Sequence, residues 1–235
     1  MKASDKPLRE QIYHQLVEDI ILGRINAGEK ILESELARRF KVSRTPVREA
    51  LFQLERDGYI SHRKNIGGVV KKITGQKVQE IFDVVAQLEG YAVEKFVEIH
   101  RPGIDVSPLL KLEEQMVDLA KKKQFVEYQR VNIEFHRFFI NRCENETLKE
   151  TVMNLRNKVY KLVIEGLSLP ANIHRYLSSH RIIIQTISSG NALKAGSLMR
   201  AHVYDSGFYL LKEIQLRDRV KIAINNKPEA GFYRT

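Results

Sequence analysis

Beyond residue 76 nearly every stretch of this chain repeats its apolar residues at helical spacing, and only prolines and glycines interrupt the pattern. Apolar residues three and four apart share one face of an α-helix, and that face must be buried against another element. The spacing predicts helices near 76–100, 108–122, 124–142, 145–165, 171–189 and 191–215, with Pro102, Ser107-Pro108, Pro170 and Gly190 at the breaks. Amphipathic helices joined by short breaks pack as an antiparallel bundle. From Arg217 onward the repeat is lost, and that tail is expected to fray or to dock elsewhere.

The first 72 residues have a different grain. Leu8, Ile12, Leu16 and Ile20 recur every fourth position, and Gly23 and Asn26 to Gly28 stop that helix. ESELARRF follows as a short helix with Leu36, Ala37 and Phe40 inward, and KVS makes a tight connection. The next helix has an apolar stripe of Val47, Ala50, Leu51 and Leu54, with Ser43 or Thr45 as N-cap, Pro46 in its first turn and Gly58 at its end. Tyr59-Ile60 and Val69-Val70 flank SHRKNIGG, a turn-rich stretch that reads as a small β-hairpin with Gly67 and Gly68 near the bend. Helix, helix, turn, helix, hairpin is the winged helix-turn-helix order. The expected chain is therefore mainly α: a winged helix-turn-helix over 1–72, a linker at 73–77, an all-helical bundle over 78–216 and a tail, 217–235.

A formal net charge of +10 inclines the chain toward a polyanionic partner. The charge is concentrated where the helix order needs it. Arg38, Arg39, Lys41, Arg44 and Arg48 lie within residues 38–48, which contain no acid. In a helix-turn-helix the second helix enters the major groove of double-stranded DNA with its N-terminal residues at bases and phosphates. Arg44 and Arg48 offer bidentate forks, and Ser43 and Thr45 offer hydroxyls to phosphate. Arg63, Lys64, Asn65 and Gly67 at the hairpin reach the backbone or the adjacent minor groove. Cys143 is the only cysteine, so no internal disulfide and no CxxC site exist. The start lacks a signal-peptide run and no stretch approaches the length of a membrane span, so a cytoplasmic protein with no membrane partner is expected.

QFVEYQRVNIEFHRFF poses a separate problem. At about 100° per residue, Phe125, Tyr128, Phe135 and Phe139 form one stripe, and Asn132 and His136 fall near its middle, one turn apart. His180 is centred among Ile173, Leu177, Ile183, Ile184 and Ile187, and His202 among Leu198, Met199, Tyr209 and Leu210. His14, His62, His100 and His174 have no such placement. One inward histidine is ordinarily a hydrogen-bonded core residue. Three on separate helices would each need partners for both ring nitrogens, and a shared divalent metal removes that problem. Imidazole donors with an open coordination position suit zinc, with nickel, cobalt or manganese as alternatives.

ELARRFKVSRTPVREALFQLERDGYI resembles the signature of the GntR family of bacterial transcription regulators, and the likeness extends over residues 8 to 72. It implies that Arg44, Thr45, Arg48 and the wing tip read operator DNA. Ser34 stands where some relatives carry a DNA-contacting arginine. The helical half resembles the FCD domain of the FadR subfamily, in which a D-x-x-x-H pair and two later histidines bind metal. His136, His180 and His202 match that pattern, with Asn132 at the aspartate position, and six helices rather than seven resemble the VanR-type branch. Val85 precedes Leu88-Glu89 where relatives place an arginine for an effector carboxylate, leaving Arg137, Arg156 and Tyr209 as candidate effector residues. The resemblance implies a metabolite-responsive regulator that binds a palindromic operator as a homodimer joined mainly through its larger domain.

Other functions fit less well. A metal-free polar pocket is the alternative to a metal site, because an amide at position 132 brings no negative charge. A metal-dependent hydrolase needs a general base, and Glu89 is the only carboxylate near the histidines on the expected inner faces. A purely architectural DNA binder would have no reason to bury polar groups in its core. The chain is accordingly expected not to be an enzyme.

Overall fold

A computed structural model describes residues 7–63, 67–166 and 170–225. Leu8–Ile21 forms α1, whose inner face buries Ile12 and Leu16 completely. After a turn closed by Gly23, with φ at 71°, Lys30–Leu32 forms β1, and Glu33–Phe40 forms α2. Lys41 adopts the left-handed conformation, φ 54° and ψ 46°, which ends α2 and lets Arg44–Arg56 begin as α3 three residues later. Ser43, extended at φ −67° and ψ 167°, is the N-cap residue of α3. Val47, Leu51 and Leu54 meet Ile12, Leu16 and Leu36 in the core of this first part. Tyr13 on α1 donates its hydroxyl to Asp57 just beyond α3, at 2.6 Å.

Ile60–Arg63 (β2) and Gly67–Val70 (β3) form the expected hairpin, to which β1 adds a third strand in the order β1-β3-β2. The sequence did not reveal β1 because three residues are too few to show an alternating pattern. Its pairing, with Leu32 opposite Gly67, accounts for that glycine. Gly67 has φ at 126°, and a Cβ there would lie 1.8 Å from the Ile31 carbonyl oxygen.

The bundle consists of α4 (Gly75–Ile99), α5 (Ser107–Lys121), α6 (Phe125–Ile140), α7 (Glu146–Gly166), α8 (Pro170–Ser188) and α9 (Ala192–Asn225). Chain contacts divide the protein into two units, one up to Thr74 together with Asn157–Lys161, the other Gly75–Arg156 and from Leu162 onward. Helix α4 packs on α9 and α6, α5 on α6 and α8, and α8 on α9. The α4 and α9 backbones approach through glycines. A Cβ on Gly90 would lie 2.8 Å from the Gly196 carbonyl oxygen, and one on Gly207 2.5 Å from the Phe82 Cβ.

Two boundaries differ from those expected. Helix α9 runs to Asn225 rather than stopping near 215, so the start of the expected tail is helical. Backbone hydrogen bonds propagate a helix through residues with no apolar repeat, which is why the pattern ended before the helix did. Residues 75–77, placed in the linker, form the first turn of α4, ahead of its first buried residue, Val78. The last ten residues, 226–235, lie outside those described. Among the described residues no helix is long and apolar enough to cross a membrane.

Candidate metal centre and nucleic-acid interface

Ser43, Arg44 and Thr45 stand exposed at the start of α3, while the apolar stripe behind them is fully packed. The Ser43 side chain makes no capping bond of its own. Arg48, one turn further along, is held in place: its Nε donates to Glu33 Oε2 at 2.8 Å, and Glu33 is only 2% exposed. Arg39 is held likewise. Its Nη2 donates to Asp19 Oδ2 at 2.6 Å, and Arg24 takes the other oxygen of that carboxylate at 2.9 Å. Burial works against an ionised Asp19, but its bonds to Arg24 and Arg39 outweigh it and hold the carboxyl below its ordinary range. Arg38 is exposed on α2. Gly67 lies buried in the sheet, and Lys64 and Asn65 fall outside the described residues. Sequence spacing does not mark Asp19 and Glu33 as anchoring carboxylates, since no local pattern announces a partner 15 or 20 residues away.

In the bundle the structure brings the three expected histidines together. His136 on α6, His180 on α8 and His202 on α9 are 3%, 0% and 4% exposed. Their ligating nitrogens all lie within 4.8 Å of one another. His180 Nε2 and His202 Nε2 are 3.1 Å apart, while the His136 and His202 rings stack with centroids 5.2 Å apart. Burial, reinforced by the neighbouring groups, pushes His180 and His202 well below the ordinary imidazole pKa. It lowers His136 too, against the pull of Glu89. Neutral imidazoles are the form that ligates metal.

Glu89, on α4, stands behind His136. Its Oε2 is 2.7 Å from His136 Nδ1, and its Oε1 accepts from Arg156 Nε on α7. Burial opposes ionisation of this carboxyl, but the Arg156 guanidinium, helped by His136, overrides it and brings the pKa down to about 2. Asn132 is 7% exposed; its Nδ2 donates to Gln129 Oε1 at 3.2 Å, while its Oδ1 is buried without a hydrogen-bond partner. The Tyr128 hydroxyl, one turn earlier on α6, is likewise buried and unpartnered, and burial drives its pKa far up. By spacing Tyr128 is one member of an apolar stripe, and its position four residues before Asn132 places it on the same face of α6. Of the candidate effector residues, Arg156 reaches the cluster through Glu89. Arg137 instead pairs with Glu134 at 2.9 Å on the outer side of α6, and half-buried Tyr209 lies under the Arg175 guanidinium, 4.6 Å from its ring centre.

The donor chemistry fits a divalent ion. Two nitrogens each about 2.0–2.1 Å from a common ion sit roughly 3.0–3.4 Å apart, the separation at which the Nε2 atoms of His180 and His202 are found. The partner of His136 Nδ1 is a carboxylate, the usual arrangement behind a metal-binding imidazole.

A winged helix-turn-helix carried with an all-helical bundle is the plan of a DNA-binding transcription regulator. Residues 8–70 match the model of the bacterial regulatory proteins of the gntR family, residues 80–205 match the FCD domain, and the chain belongs to the GntR family with an FCD domain. It is 29% identical over 200 residues to the HTH-type transcriptional regulator YdhC of Bacillus subtilis, covering 83% of this chain and 88% of that protein. It is 28% identical over 188 residues to the gluconate operon transcriptional repressor of the same organism, covering 76% and 75%. Among solved structures, Escherichia coli McbR/YncC shares the fold, with a TM-score of 0.69 at 20% identity over 89% of this chain and 99% of that one. The matched families are transcription regulators, not enzymes.

Proposed function

We propose that this regulator binds a palindromic operator as a cytoplasmic homodimer and answers to a small molecule held at a metal centre in its helical domain. Asn132, His136, His180 and His202 hold the metal, zinc first, with nickel, cobalt or manganese as alternatives. The observation that carries this is the enclosed cluster of three imidazoles, with two Nε2 atoms 3.1 Å apart. When bound, the ion supplies a Lewis-acidic position for an effector's polar or anionic group. Glu89 fixes the ring orientation of His136, and Arg156 fixes Glu89. Arg156, which reaches the cluster through Glu89, is assigned to the effector together with Tyr209 and Arg137.

Arg44, Thr45 and Ser43 meet the operator directly, and Arg38, Lys64 and Asn65 extend the contact to the DNA backbone. Arg48 and Arg39 reach the DNA from geometries set by Glu33 and Asp19. One relative is named for a gluconate operon, which accords with a carboxylate effector here. The effector can change operator affinity only through its different affinities for the DNA-competent and DNA-incompetent states.

Elemental analysis of protein purified without chelator tests the metal centre. About one ion per chain is expected in the wild type and none in His180→Ala. Wild-type protein that takes up no metal under any supply favours the second reading, an effector pocket lined by the same polar groups without an ion, to which the uncharged Asn132 lends support.

A further inference from the structure

Helix α3 has two faces. Val47, Ala50, Leu51 and Leu54 are buried on one, and Arg44, Thr45, Glu49, Phe52 and Arg56 are exposed on the other. At about 100° per residue, Phe52 lies about two turns beyond Thr45 and within about 20° of it around the helix axis. The ring therefore stands on the same side of α3 as the Thr45 hydroxyl, away from the hydrophobic core. Among the described residues of the first unit it is the most exposed of the large apolar side chains, at 53%.

A single exposed apolar side chain is ordinary on a protein surface. What sets Phe52 apart is its place, on the helix that carries Arg44 and Thr45 to the operator. Arg48 and Arg44 precede it by one and two turns, and Arg38, Arg39 and Lys41 are exposed just before α3. An apolar protein surface laid on this face would have to cover those cations without offsetting their charge, which is costly. The DNA major groove suits both kinds of side chain. Its phosphates accept guanidinium groups, and the C5-methyl of thymine gives its floor an apolar projection that fits a phenyl ring.

We infer that Phe52 is a further specificity-determining residue of α3, one that reads a thymine through its methyl group at a base pair other than those met by Arg44 and Thr45. Its displacement along the helix, about 10 Å from Thr45 at 1.5 Å per residue, separates the contacts. The inference rests on α3 lying in the major groove and adds to that reading an apolar contact with a base. A phosphate contact carries no sequence information; this one does.

The test begins with selection of bound duplexes from a random-sequence DNA pool by the full wild-type chain. Gel-shift titrations then follow the selected duplex with each thymine replaced in turn by deoxyuridine, which removes the methyl group and leaves pairing with adenine intact. At one thymine in each half-site the replacement should weaken wild-type binding about fourfold, the worth of one buried methyl. Phe52→Ala should bind the unmodified duplex more weakly than wild type and be indifferent to that replacement, as expected of two groups in contact. Phe52→Leu keeps an apolar side chain and should retain the sensitivity. A selected duplex with no methyl-sensitive thymine, equal sensitivity in wild type and Phe52→Ala, or loss of sensitivity in Phe52→Leu overturns the Phe52 contact and leaves α3 in the groove. A pool from which the wild type enriches no sequence overturns the groove reading together with it.

Discussion

Glu89 Oε2 lies 2.7 Å from Nδ1 of His136, joining α4 to α6 across 47 residues of sequence. An ionised carboxylate can only accept, so the Nδ1 of a neutral His136 must carry the hydrogen and its Nε2 is left as a lone pair. The same contact decides between two roles for Glu89. A hydrolytic base would need a carboxylate free to take a proton from water. Here both oxygens are engaged, one with the ring and one with Arg156.

Glu89→Gln should therefore be costly. It leaves Arg156, whose side chain is only 14% exposed, without its counter-ion. Breaking one side of a buried pair destabilises by about 3–5 kcal/mol, and losing a carboxylate behind a ligating histidine lowers metal affinity roughly 10- to 100-fold. Urea unfolding at neutral pH and metal titration of the folded variant check the two effects separately. A variant as stable as the wild type would show that Arg156 finds another partner.

Stability should fall as the solution is acidified, in two windows. His136, His180 and His202 have folded pKa values below the ordinary 6.5, so below that pH the unfolded chain binds protons that the folded one does not. Their contribution is present above pH 6.5 and is lost progressively beneath it, by about 1.4 kcal/mol per pH unit for each proton. Glu89 is depressed to about 2 from 4.5, so its contribution is present above pH 4.5 and disappears as pH falls toward 2. Urea midpoints of metal-free protein across this range measure both. In His180→Phe the slope below pH 6.5 should drop by about one proton.

The arginines of the first part should separate by mechanism. Arg44→Ala removes an exposed side chain and should weaken operator binding by about 1–3 kcal/mol with little change in melting temperature. Arg39→Ala leaves the buried Asp19 with Arg24 as its remaining ion-pair partner and should lower the melting temperature as well as DNA affinity. Gel-shift titrations beside thermal melts check the contrast. Equal behaviour of the two variants in both assays would refute it.

Gly207→Ala should destabilise the bundle. The added Cβ would stand 2.5 Å from the Phe82 Cβ and force α4 and α9 apart. Overpacking of this kind costs roughly 1–3 kcal/mol, measurable by urea unfolding of the full chain.

Much of the fold was legible because helical periodicity is a local property. Val47, Leu51 and Leu54 on α3, or Phe135 and Phe139 on α6, announce their faces by spacing alone, and the breaks at Pro170 and Gly190 come from backbone restrictions that any neighbourhood must obey. The three inward histidines were legible for the same reason: each is polar at the centre of an apolar stripe. β1 was not, because a three-residue strand exists only through its pairing with β3. The pinning of Arg48 by Glu33 and of Arg39 by Asp19 was hidden too, since charge composition does not say which arginine is committed to a carboxylate.

Sequence by itself determined the helices, the basic helix of the first part and the inward aim of His136, His180 and His202, since all of these follow from residue type and short-range spacing. Tertiary structure alone decided that the three rings come within reach of one ion, that Glu89 faces His136 while Arg156 neutralises it, and that Tyr128 and the Asn132 oxygen are left without partners. Those are relations between separate helices. Distance and charge balance across a bundle depend on how α4, α6, α7, α8 and α9 pack, which no single helix encodes.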